Sequence, residues 1–383
     1  MTPERTDGRR SRGRLAPVLG SARLRLREAL EDEGFLDRNA PRGGRALNRA
    51  GDGPLRVLLG LSGGPDSLAL AAAAAFFART GLFQVGAVVV DHQLQEGSHE
   101  VAERAAGQAR ALGLDPVRIV TVTVPSDGDG PEAAARSVRH AALEQAAREE
   151  GADLVLLGHT RDDQAEQVLL ALARGSGTRA LAGIPRRRDF PGGSYLRPFL
   201  ELTRAETEEI CRVEDLTPWQ DPSNADPAFT RSRVRSRVMP FLEDQIGPGV
   251  AESLHRSARI LAADAAFLDE EAQRHYAALR EAHDGVILLP EDGLRALPEA
   301  LRSRVLALAV TELGGSPSFE RMQAAVALLK RQGSAGPVQL PGKVSVRRQT
   351  RPKGARKGGG EYGKLVLEST GPRAIAAGPS SHG

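Results

Sequence analysis

The chain has 383 residues, 40% of them hydrophobic, and a formal net charge of +3, a size that predicts about two or three domains with hydrophobic cores. Its single cysteine, Cys211, excludes an internal disulfide and any cysteine-cluster metal site, as is typical of a reducing compartment. No run approaches the roughly 18 apolar residues of a membrane span, and no apolar signal-peptide segment opens the chain. We therefore expect a cytoplasmic protein with no membrane partner.

Residues 1–50 predict a basic arm followed by one helix. Residues 1–15 are rich in Arg and Gly and lack hydrophobic periodicity, which is typical of disorder. Apolar residues recur at helical spacing from Pro17 to Phe35. We expect this helix to cover an edge of the next domain, which we place at residues 51–245.

From Leu55 onward, strands and helices alternate. The predicted strands are Leu55–Leu61, Val85–Asp91, Val117–Val124 and Leu154–Leu157, and the predicted helices are Ser67–Thr80, Ser98–Leu112, Pro131–Glu150 and Thr160–Arg174. The strands are nearly continuous apolar runs, as expected where both faces of a sheet are covered. The alternation predicts an α/β fold with a doubly wound, mostly parallel sheet. Because ligands of such sheets bind beyond the carboxyl ends of strands, we expect the site at Ser62–Ser67, Asp91-His92 and Gly158-His159.

The bend Ser62-Gly63-Gly64-Pro65-Asp66-Ser67 is the most informative of these strand ends. Its glycines let backbone amides approach an oxyanion, and the following helix directs its positive end at the same point. Ser62 and Ser67 add hydroxyl donors, and Asp66 is suited to orienting amides or holding a metal ion. The Walker A lysine and the Rossmann glycine pattern are both absent. Gly60-Leu61-Ser62-Gly63-Gly64 also matches the nucleophile elbow of serine hydrolases, and a plain glycine turn is the third interpretation.

The other strand ends carry residues suited to acid–base or metal chemistry. Asp91 follows an apolar strand, where a carboxylate can hold a ribose hydroxyl or a metal ion, or cap the next helix. On a helix, His159, Asp163 and Glu166 would share one face. An imidazole beside a carboxylate suits general base catalysis or metal binding. Asp162 would point away from that face and cap the helix or meet solvent.

An arginine-rich stretch occupies residues 229–237 and contains Arg231, Arg233, Arg235 and Arg237. In a strand these side chains would line one face, whereas in a helix they would spread around it. Charge runs commonly form a solvated surface. With Trp219 and Asp221–Asn224 just upstream, the stretch also suits an RNA backbone. Arg136 and Arg139, three residues apart on a predicted helix, extend this basic surface.

Together these motifs resemble the PP-loop ATP pyrophosphatase superfamily and, within it, the tRNA(Ile)-lysidine synthetase family. The stretches that carry the resemblance are Ser62–Ser67, Val90–His92, Glu132–Arg136 with Arg139-His140, Gly158–Gln167, Arg174–Gly177, Arg197–Leu200, Asp221–Asn224 and Arg231–Arg235. They span the chain from Leu55 to Leu242. The family commonly follows its Asp-His pair with Gly-Leu-Arg, where this chain has Gln93-Leu94-Gln95.

The resemblance implies a ligase that uses ATP and free L-lysine to convert the wobble cytidine of an isoleucine tRNA to lysidine, through an adenylated cytidine. It implies that Ser62–Ser67 hold ATP, with Mg²⁺ at Asp66. The catalytic candidates are Asp66, Asp91, His159 and Asp163, the last two as acceptors of the lysine amine proton. The candidates for tRNA contact are Arg136, Arg139, Asn224, Arg231, Arg233 and Arg235.

Three alternatives stay open from the sequence. Another PP-loop tRNA-modifying or amidating ligase would use the same bend, but a sulfur-inserting relative would need more thiols than Cys211. A serine hydrolase would use Ser62 as its nucleophile. A non-catalytic RNA-binding module would explain the arginines but not the bend. Both a monomer and a homodimer are compatible with the sequence.

Residues 246–370 predict a smaller, mainly helical domain that contacts tRNA. Helical periodicity covers Val250–Leu279 and Ala300–Leu329, a short strand is predicted at Val286–Leu289, and a terminal hairpin is predicted from Val338–Leu340, Val344–Arg347 and Lys364–Leu367. Residues 371–383 are expected to form a disordered tail.

Overall fold

The computed structural model describes residues 16–37, 54–93, 95, 97–125, 131–222, 226, 229–330, 335–349 and 363–369. They form two compact units, divided between Ala262 and Ala263. The predicted arm (1–15), the predicted tail (371–383) and Asn224 lie outside the described residues. Within the described ranges, no helix is long and apolar enough to cross a membrane.

The first unit is built on a six-stranded sheet. Its strands are β1 (Arg56–Leu61), β2 (Gln84–Asp91), β3 (Val117–Thr121), β4 (Leu154–Leu156), β5 (Arg187–Phe190) and β6 (Gly193–Leu196). Its helices are α1 (Pro17–Asp32), α2 (Pro65–Arg79), α3 (Ser98–Ala111), α4 (Pro131–Glu150), α5 (Arg161–Ala173), α6 (Thr178–Leu181), α7 (Arg204–Val213), α8 (Thr230–Arg233) and α9 (Met239–Ile246), with a π-helical stretch, Val234–Val238, between α8 and α9. The sheet order is β3-β2-β1-β4-β6-β5, and every neighbouring pair is parallel except β5–β6. The predicted mostly parallel sheet is confirmed.

Helices cover both faces of this sheet. Val57 and Leu59 of β1 pack in one apolar cluster with α1, α2 and α3. Leu58, whose side chain points to the opposite face, packs in a second cluster with Leu143 of α4. Burial on both faces explains why the strands are continuous apolar runs. The parallel pairing of β1 with β4 places the carboxyl ends of these two strands side by side.

The hairpin β5–β6 is absent from the sequence prediction. Each strand has only four residues, and β5 is polar and lies at the edge of the sheet. Such short strands leave no apolar run to detect. In the fold, Tyr195 and Leu196 of β6 are fully buried. Since β6 runs parallel to β4, Arg197 follows β6 at the same edge of the sheet as His159.

The second unit contains a five-stranded antiparallel sheet in the order β7-β8-β11-β10-β9. Its strands are β7 (Glu281–His283), β8 (Val286–Pro290), β9 (Val338–Leu340), β10 (Val344–Arg348) and β11 (Lys364–Ser369). The helices are α10 (Val250–Leu279), whose residues fall in both units, then α11 (Glu291–Ala296), α12 (Glu299–Glu312), α13 (Phe319–Ala327) and a 3₁₀ turn at Leu328–Lys330. The predicted mainly helical domain is confirmed, and its predicted strand and terminal hairpin pair with each other and with the unpredicted β7 in one sheet.

His140 of α4 is a buried, uncharged imidazole. Its ring lies 4.9 Å from the Tyr195 ring, and neither ring nitrogen has a hydrogen-bond partner. Burial, together with the nearby cation of Arg188, lowers the pKa of His140 to about 3. An unfolded histidine has a pKa of about 6.5, so acidification protonates the unfolded chain first.

Acidification should therefore destabilise the first unit through His140. The free energy of unfolding should fall by up to about 1.4 kcal/mol per pH unit between pH 6.5 and 3 on account of this residue. Urea unfolding at pH 7, 6 and 5, followed by fluorescence of the single tryptophan, Trp219, should show a weaker pH dependence for His140→Leu than for wild type. The exposed His283, replaced by Leu, is the control. Parallel pH profiles for wild type and His140→Leu would contradict the prediction.

Candidate active site at the carboxyl edge of the sheet

The bend Ser62–Ser67 joins β1 to α2 as an anion cradle. Gly63 has a φ of +79°, which L side chains rarely adopt, and Pro65 opens α2 after Gly64. Ser67 Oγ donates to the Gly64 carbonyl oxygen (3.0 Å) and accepts from the Ser62 N–H (3.2 Å), which closes the bend. No side chain caps α2, so the N–H groups of its first turn are available to an anion.

The hydroxyl of Ser62 has partners unsuited to a nucleophile. Ser62 Oγ lies 3.1 Å from Ser67 Oγ and accepts from the Gly64 N–H at 3.5 Å. A serine nucleophile needs a general base within hydrogen-bond reach, and neither of these two partners is one. The geometry favours the anion cradle over the nucleophile elbow.

Gly158 brings a second strand end against the bend. A Cβ atom on Gly158 would lie 2.7 Å from the Asp66 carbonyl oxygen and 3.1 Å from the Ser67 nitrogen. The first distance is shorter than real Cβ contacts, so only glycine allows this approach. The structure thus joins two of the three predicted strand ends, the bend and Gly158-His159.

Asp66 lies in the first turn of α2 and faces α7. Thr207 Oγ1 donates to Asp66 Oδ1, and Arg204 Nε lies 3.9 Å from Oδ2. Burial raises the pKa of Asp66 to about 6, against the lowering effect of the Thr207 hydrogen bond. The negative charge of Asp163 raises this pKa further.

A single carboxylate beside the cradle fits Mg²⁺ bound together with a nucleotide. Magnesium usually takes one or two protein carboxylates and completes its shell with substrate phosphates and water. Asp66 provides one such carboxylate directly beside the bend. Among the residues that the structure describes, no group of three or more His, Cys, Asp or Glu side chains could hold a metal ion. Any Mg²⁺ here would therefore depend on phosphate oxygens.

Asp91 ends β2 and holds the turn that leads into α3. Its Oδ1 atom accepts from Ser98 Oγ (2.7 Å) and from the Gln93 N–H (3.1 Å). Burial would raise the pKa of Asp91, but these hydrogen bonds outweigh it and hold the pKa below its ordinary value. These bonds close the turn before α3 but do not cap the helix, whose start has no side-chain cap. The other oxygen, Oδ2, is buried, accepts no hydrogen bond and lies 3.5 Å from His99 Nδ1.

His159 lies just before α5, outside the predicted helix Thr160–Arg174, so the predicted helical face shared by His159, Asp163 and Glu166 is not formed. The helix begins at Arg161 because Thr160 and Asp163 form a capping box. Asp163 Oδ2 accepts from the Thr160 N–H (2.8 Å), and Thr160 Oγ1 accepts from the Asp163 N–H (3.5 Å). His159 therefore precedes the helix, although its charge still interacts with that of Asp163.

The helical wheel suggested Asp162 as the cap of α5, but the cap is formed by Asp163. Asp163 belongs to the cap of α5, as the capping box shows. Asp162 Oδ2 instead accepts from the backbone N–H of Arg204 (2.8 Å), the first residue of α7. Asp162 therefore ties the start of one helix to the start of the other.

In this arrangement His159 and Asp163 are weak proton acceptors. Burial lowers the pKa of His159 to about 3, against the opposing charge of Asp163. Burial would raise the pKa of Asp163, but Arg231, His159 and Arg204 hold it below its ordinary value. A general base works best with a pKa near the working pH, and the pKa of Asp66 lies closest to that range.

Asp163 and Glu166 bind three arginines, and we call these five residues the acid–arginine cluster. Arg231 Nε donates to Glu166 Oε2 (2.9 Å) and Arg235 Nε donates to Glu166 Oε1 (2.7 Å). Both guanidinium groups also reach Asp163 Oδ1, at 3.3 and 3.2 Å. Arg204 Nη2 contacts Asp163 Oδ1 (3.3 Å) and Glu166 Oε1 (3.5 Å). Glu166 is only 1% exposed, so its charge depends on these partners.

The arginine-rich stretch is helical, so its side chains point in different directions. Arg231 and Arg235, four residues apart, point towards the carboxylates of the acid–arginine cluster. Arg233 Nη2 instead donates to Thr230 Oγ1 (3.1 Å), and Arg237 is exposed. Of the arginines predicted to contact tRNA, Arg231 and Arg235 are engaged within the protein.

Basic side chains of α4 and of Arg197, which follows β6, lie near one another at the carboxyl edge of the sheet. Arg136 is exposed, and the pKa of Arg139 is lowered by burial and by the cations of Arg136 and Arg231. Burial and the nearby cation of Arg188 lower the pKa of Arg197 to about 10. Such a concentration of positive charge suits an anionic partner.

Helix α7 supplies three residues to which the sequence assigned no role at the site. Arg204 and Thr207 contact Asp66, and Cys211 Sγ donates to the Pro65 carbonyl oxygen (3.4 Å). Burial raises the pKa of the Cys211 thiol to about 12, so it stays protonated. The sequence signal was an i, i+3, i+7 spacing on a helix, which many solvent-facing helices share.

Comparison with known proteins agrees with this geometry. A family model described as a PP-loop domain matches residues 42–242, and one described as the TilS substrate binding domain matches residues 289–351. The tRNA(Ile)-lysidine synthase of Leifsonia xyli subsp. xyli is 52% identical over 294 residues, which cover 76% of this chain and 87% of that protein. The tRNA(Ile)-lysidine synthase of Thermobifida fusca is 49% identical over 329 residues, 85% and 95% of the two chains.

A solved structure shares the fold. The U34-tRNA thiolase NcsA from Methanococcus maripaludis, with its 4Fe-4S cluster, matches with a TM-score of 0.51 and 19% identity, covering 64% of this chain and 79% of that chain. At this identity the likeness shows the fold alone. The PP-loop match covers more than half of the sequence, and the two synthases match over most of their own length. The chain belongs to the tRNA(Ile)-lysidine synthase family.

Proposed function

We propose that this protein joins L-lysine to the wobble cytidine of an isoleucine tRNA, using ATP and releasing pyrophosphate and AMP. The observation that carries the proposal is the bend Ser62–Ser67, which leads into the uncapped start of α2 and includes the carboxylate of Asp66. The family relationship supports the tRNA substrate, since the relatives are named tRNA(Ile)-lysidine synthases. We also propose a cytoplasmic location, which the presence of a single cysteine supports.

In the first step, the bend holds the triphosphate of ATP. First-turn amides of α2 and the exposed hydroxyl of Ser62 would face the phosphate oxygens, the Ser67 hydroxyl keeps the bend closed, and Asp66 would hold Mg²⁺. When bound, that ion neutralises phosphate charge. The cytidine carbonyl oxygen attacks the α-phosphate and pyrophosphate leaves. The protein contributes positioning and electrostatic stabilisation, which are the main terms in this class of transfer.

In the second step, the lysine amine attacks the adenylated carbon and AMP leaves. The amine must first lose a proton, and His159 and Asp163 remain our candidates to accept it. Asp163 would have to release at least part of its contact with Arg231 and Arg235 before its pKa could rise. Asp91 remains our candidate for holding a ribose hydroxyl, which would require its buried Oδ2 atom to become exposed.

We place the tRNA on the basic surface of the first unit and on the second unit. Arg136, Arg139 and Arg233 are the candidates for phosphate contact, and Asn224 stays a sequence prediction. The second unit contains the stretch that matches the substrate binding model. Arg231 and Arg235 would reach RNA only by leaving the acid–arginine cluster. The homodimer also stays a prediction.

Replacing Arg233 with Ala should weaken tRNA binding several-fold and lower the slope of log affinity against log salt concentration by about 1, because one phosphate contact is lost. Filter binding between 50 and 200 mM salt, concentrations at which such contacts dominate affinity, measures both. Arg212→Ala, in an exposed pair with Glu209 on α7, is the matched control. An Arg233 variant with wild-type affinity and slope would remove this residue from the RNA surface.

A reconstituted reaction tests the whole proposal. The protein is incubated with ATP, Mg²⁺, lysine and unmodified isoleucine tRNA, and pyrophosphate release is measured. Release that requires both tRNA and lysine supports the ligase. Ester cleavage blocked by a fluorophosphonate would support a hydrolase that uses Ser62, and RNA binding without turnover would support a non-catalytic module.

A further inference from the structure

The position of α7 relative to the bend is fixed by its own sequence. A capping box sets its start: Glu206 Oε2 accepts from the Thr203 N–H (2.7 Å), and Thr203 Oγ1 accepts from the Glu206 N–H (3.1 Å). Ile210 and Cys211 are buried in the same apolar cluster as α2. The side chains that α7 presents to the bend therefore have little freedom to move.

Thr207 is the most enclosed of these side chains, with 0% exposure. Its Oγ1 atom lies between two acceptors, Asp66 Oδ1 and the Arg204 carbonyl oxygen (2.8 Å). A hydroxyl has one hydrogen and can donate to only one of them at a time. Because threonine is β-branched, its χ1 is restricted in a helix, and Oγ1 is held at a defined point beside the carboxylate.

The two oxygens of Asp66 therefore have different surroundings. Oδ1 is engaged by Thr207, whereas the contact of Oδ2 among the described residues is the more distant Arg204 Nε at 3.9 Å. A carboxylate held at one oxygen keeps the other oriented, and pre-organised groups of this kind strengthen binding because less freedom is lost. Without the hydroxyl, the carboxylate would be free to turn towards Arg204.

We propose that Thr207 is a positioning residue for the nucleotide site, whose hydroxyl orients the Asp66 carboxylate towards ATP bound with Mg²⁺. The inference rests on the proposed function, because it assigns the bend to ATP. Thr207 touches neither phosphate nor metal in this arrangement. It acts through Asp66 alone.

Two substitutions at this position separate the hydroxyl from the packing. Thr207→Val keeps the shape and removes the donor, while Thr207→Ser keeps the donor and removes a methyl group. Thr311→Val is the matched control, because Thr311 Oγ1 also donates to a helix carbonyl, that of Ala307 (2.9 Å), but lies in the second unit. Calorimetry with ATP, in the presence of Mg²⁺ or of EDTA, gives the dissociation constants.

We expect Thr207→Val to bind ATP with Mg²⁺ about tenfold more weakly, in line with the loss of one hydrogen bond to a charged group. Binding with EDTA and tRNA affinity should stay within twofold of wild type, as should every value for Thr207→Ser. In the reconstituted reaction, KM for ATP should rise more than kcat falls. In an Asp66→Asn background, Thr207→Val should have no further effect on ATP binding, since the pair acts as one unit.

Wild-type binding of ATP with Mg²⁺ by Thr207→Val would overturn the inference. So would equal losses in the Val and Ser variants, or a loss that persists in the Asp66→Asn background, because these indicate packing alone. The proposed function fails separately, if wild type binds ATP with Mg²⁺ but releases no pyrophosphate with tRNA and lysine. The calorimetric comparison still decides the role of Thr207 in that case.

Discussion

Replacing Asp66 with Asn should reduce pyrophosphate release about a hundredfold or more, the usual cost of losing one pre-organised charge-stabilising group. The amide keeps the shape of the side chain but removes the negative charge that would hold Mg²⁺ beside the bend. Its partner Thr207 can still donate to the amide oxygen, so the fold around α2 and α7 should persist. Pyrophosphate release at saturating tRNA and lysine is the measurement.

Binding of tRNA distinguishes a local effect from misfolding. Asp66→Asn should bind tRNA nearly as wild type does, because the basic surface lies outside the bend. Glu208→Gln, an exposed carboxylate on α7, is the matched control and should leave turnover unchanged. Turnover near wild type for Asp66→Asn would show that the nucleotide does not depend on this carboxylate.

Replacing Glu166 with Gln should destabilise the first unit by about 3 kcal/mol or more, the cost of breaking a buried ion pair from one side. Glu166 is 1% exposed and binds both Arg231 and Arg235. The substitution leaves Asp163 as the only carboxylate of the acid–arginine cluster. Urea unfolding followed by Trp219 fluorescence measures the change, and turnover should fall with it.

A double-mutant cycle with Arg235→Gln tests whether the loss comes from the pair. If it does, the double variant should be less destabilised than the sum of the two single variants. Glu209→Gln breaks an exposed pair with Arg212 and should cost no more than about 1 kcal/mol. A Glu166→Gln variant as stable as Glu209→Gln would mean that the acid–arginine cluster contributes no stability.

The bend and the sheet could be predicted because their signals are local. Ser62–Ser67 carries its glycines, hydroxyls and helix start within six consecutive residues, and the geometry follows from that order alone. The strands β1 to β4 could be recognised in the sequence because they are apolar runs. The start of α5 was also readable: Thr160-x-x-Asp163 is a variant of the capping box, and recognising it would have shown that His159 does not share a helical face with Asp163.

The partners of charged residues could not be predicted in this way. Arg235 and Glu166 are 69 residues apart in sequence, and Thr207 lies 141 residues from Asp66. Each residue alone is compatible with a solvated surface. Only packing of α7 and of the arginine-rich helix brings them together. The polar strand β5 was not predicted for a related reason. It contains no apolar run, and its place in the sheet depends on its pairing with β6.

The segment after α7 is fastened directly to the bend, since the Trp219 N–H donates to the Gly63 carbonyl oxygen (2.9 Å). The side chain of Gln108 in α3 hydrogen-bonds the same segment: it accepts from the Thr217 N–H and donates to the Thr217 carbonyl oxygen. The arginine-rich helix follows this segment in the sequence, so we expect a nucleotide in the bend and an RNA on the arginines to affect each other's binding. By thermodynamic linkage such an effect is reciprocal. If the first ligand changes the affinity for the second by some factor, the second changes the affinity for the first by the same factor.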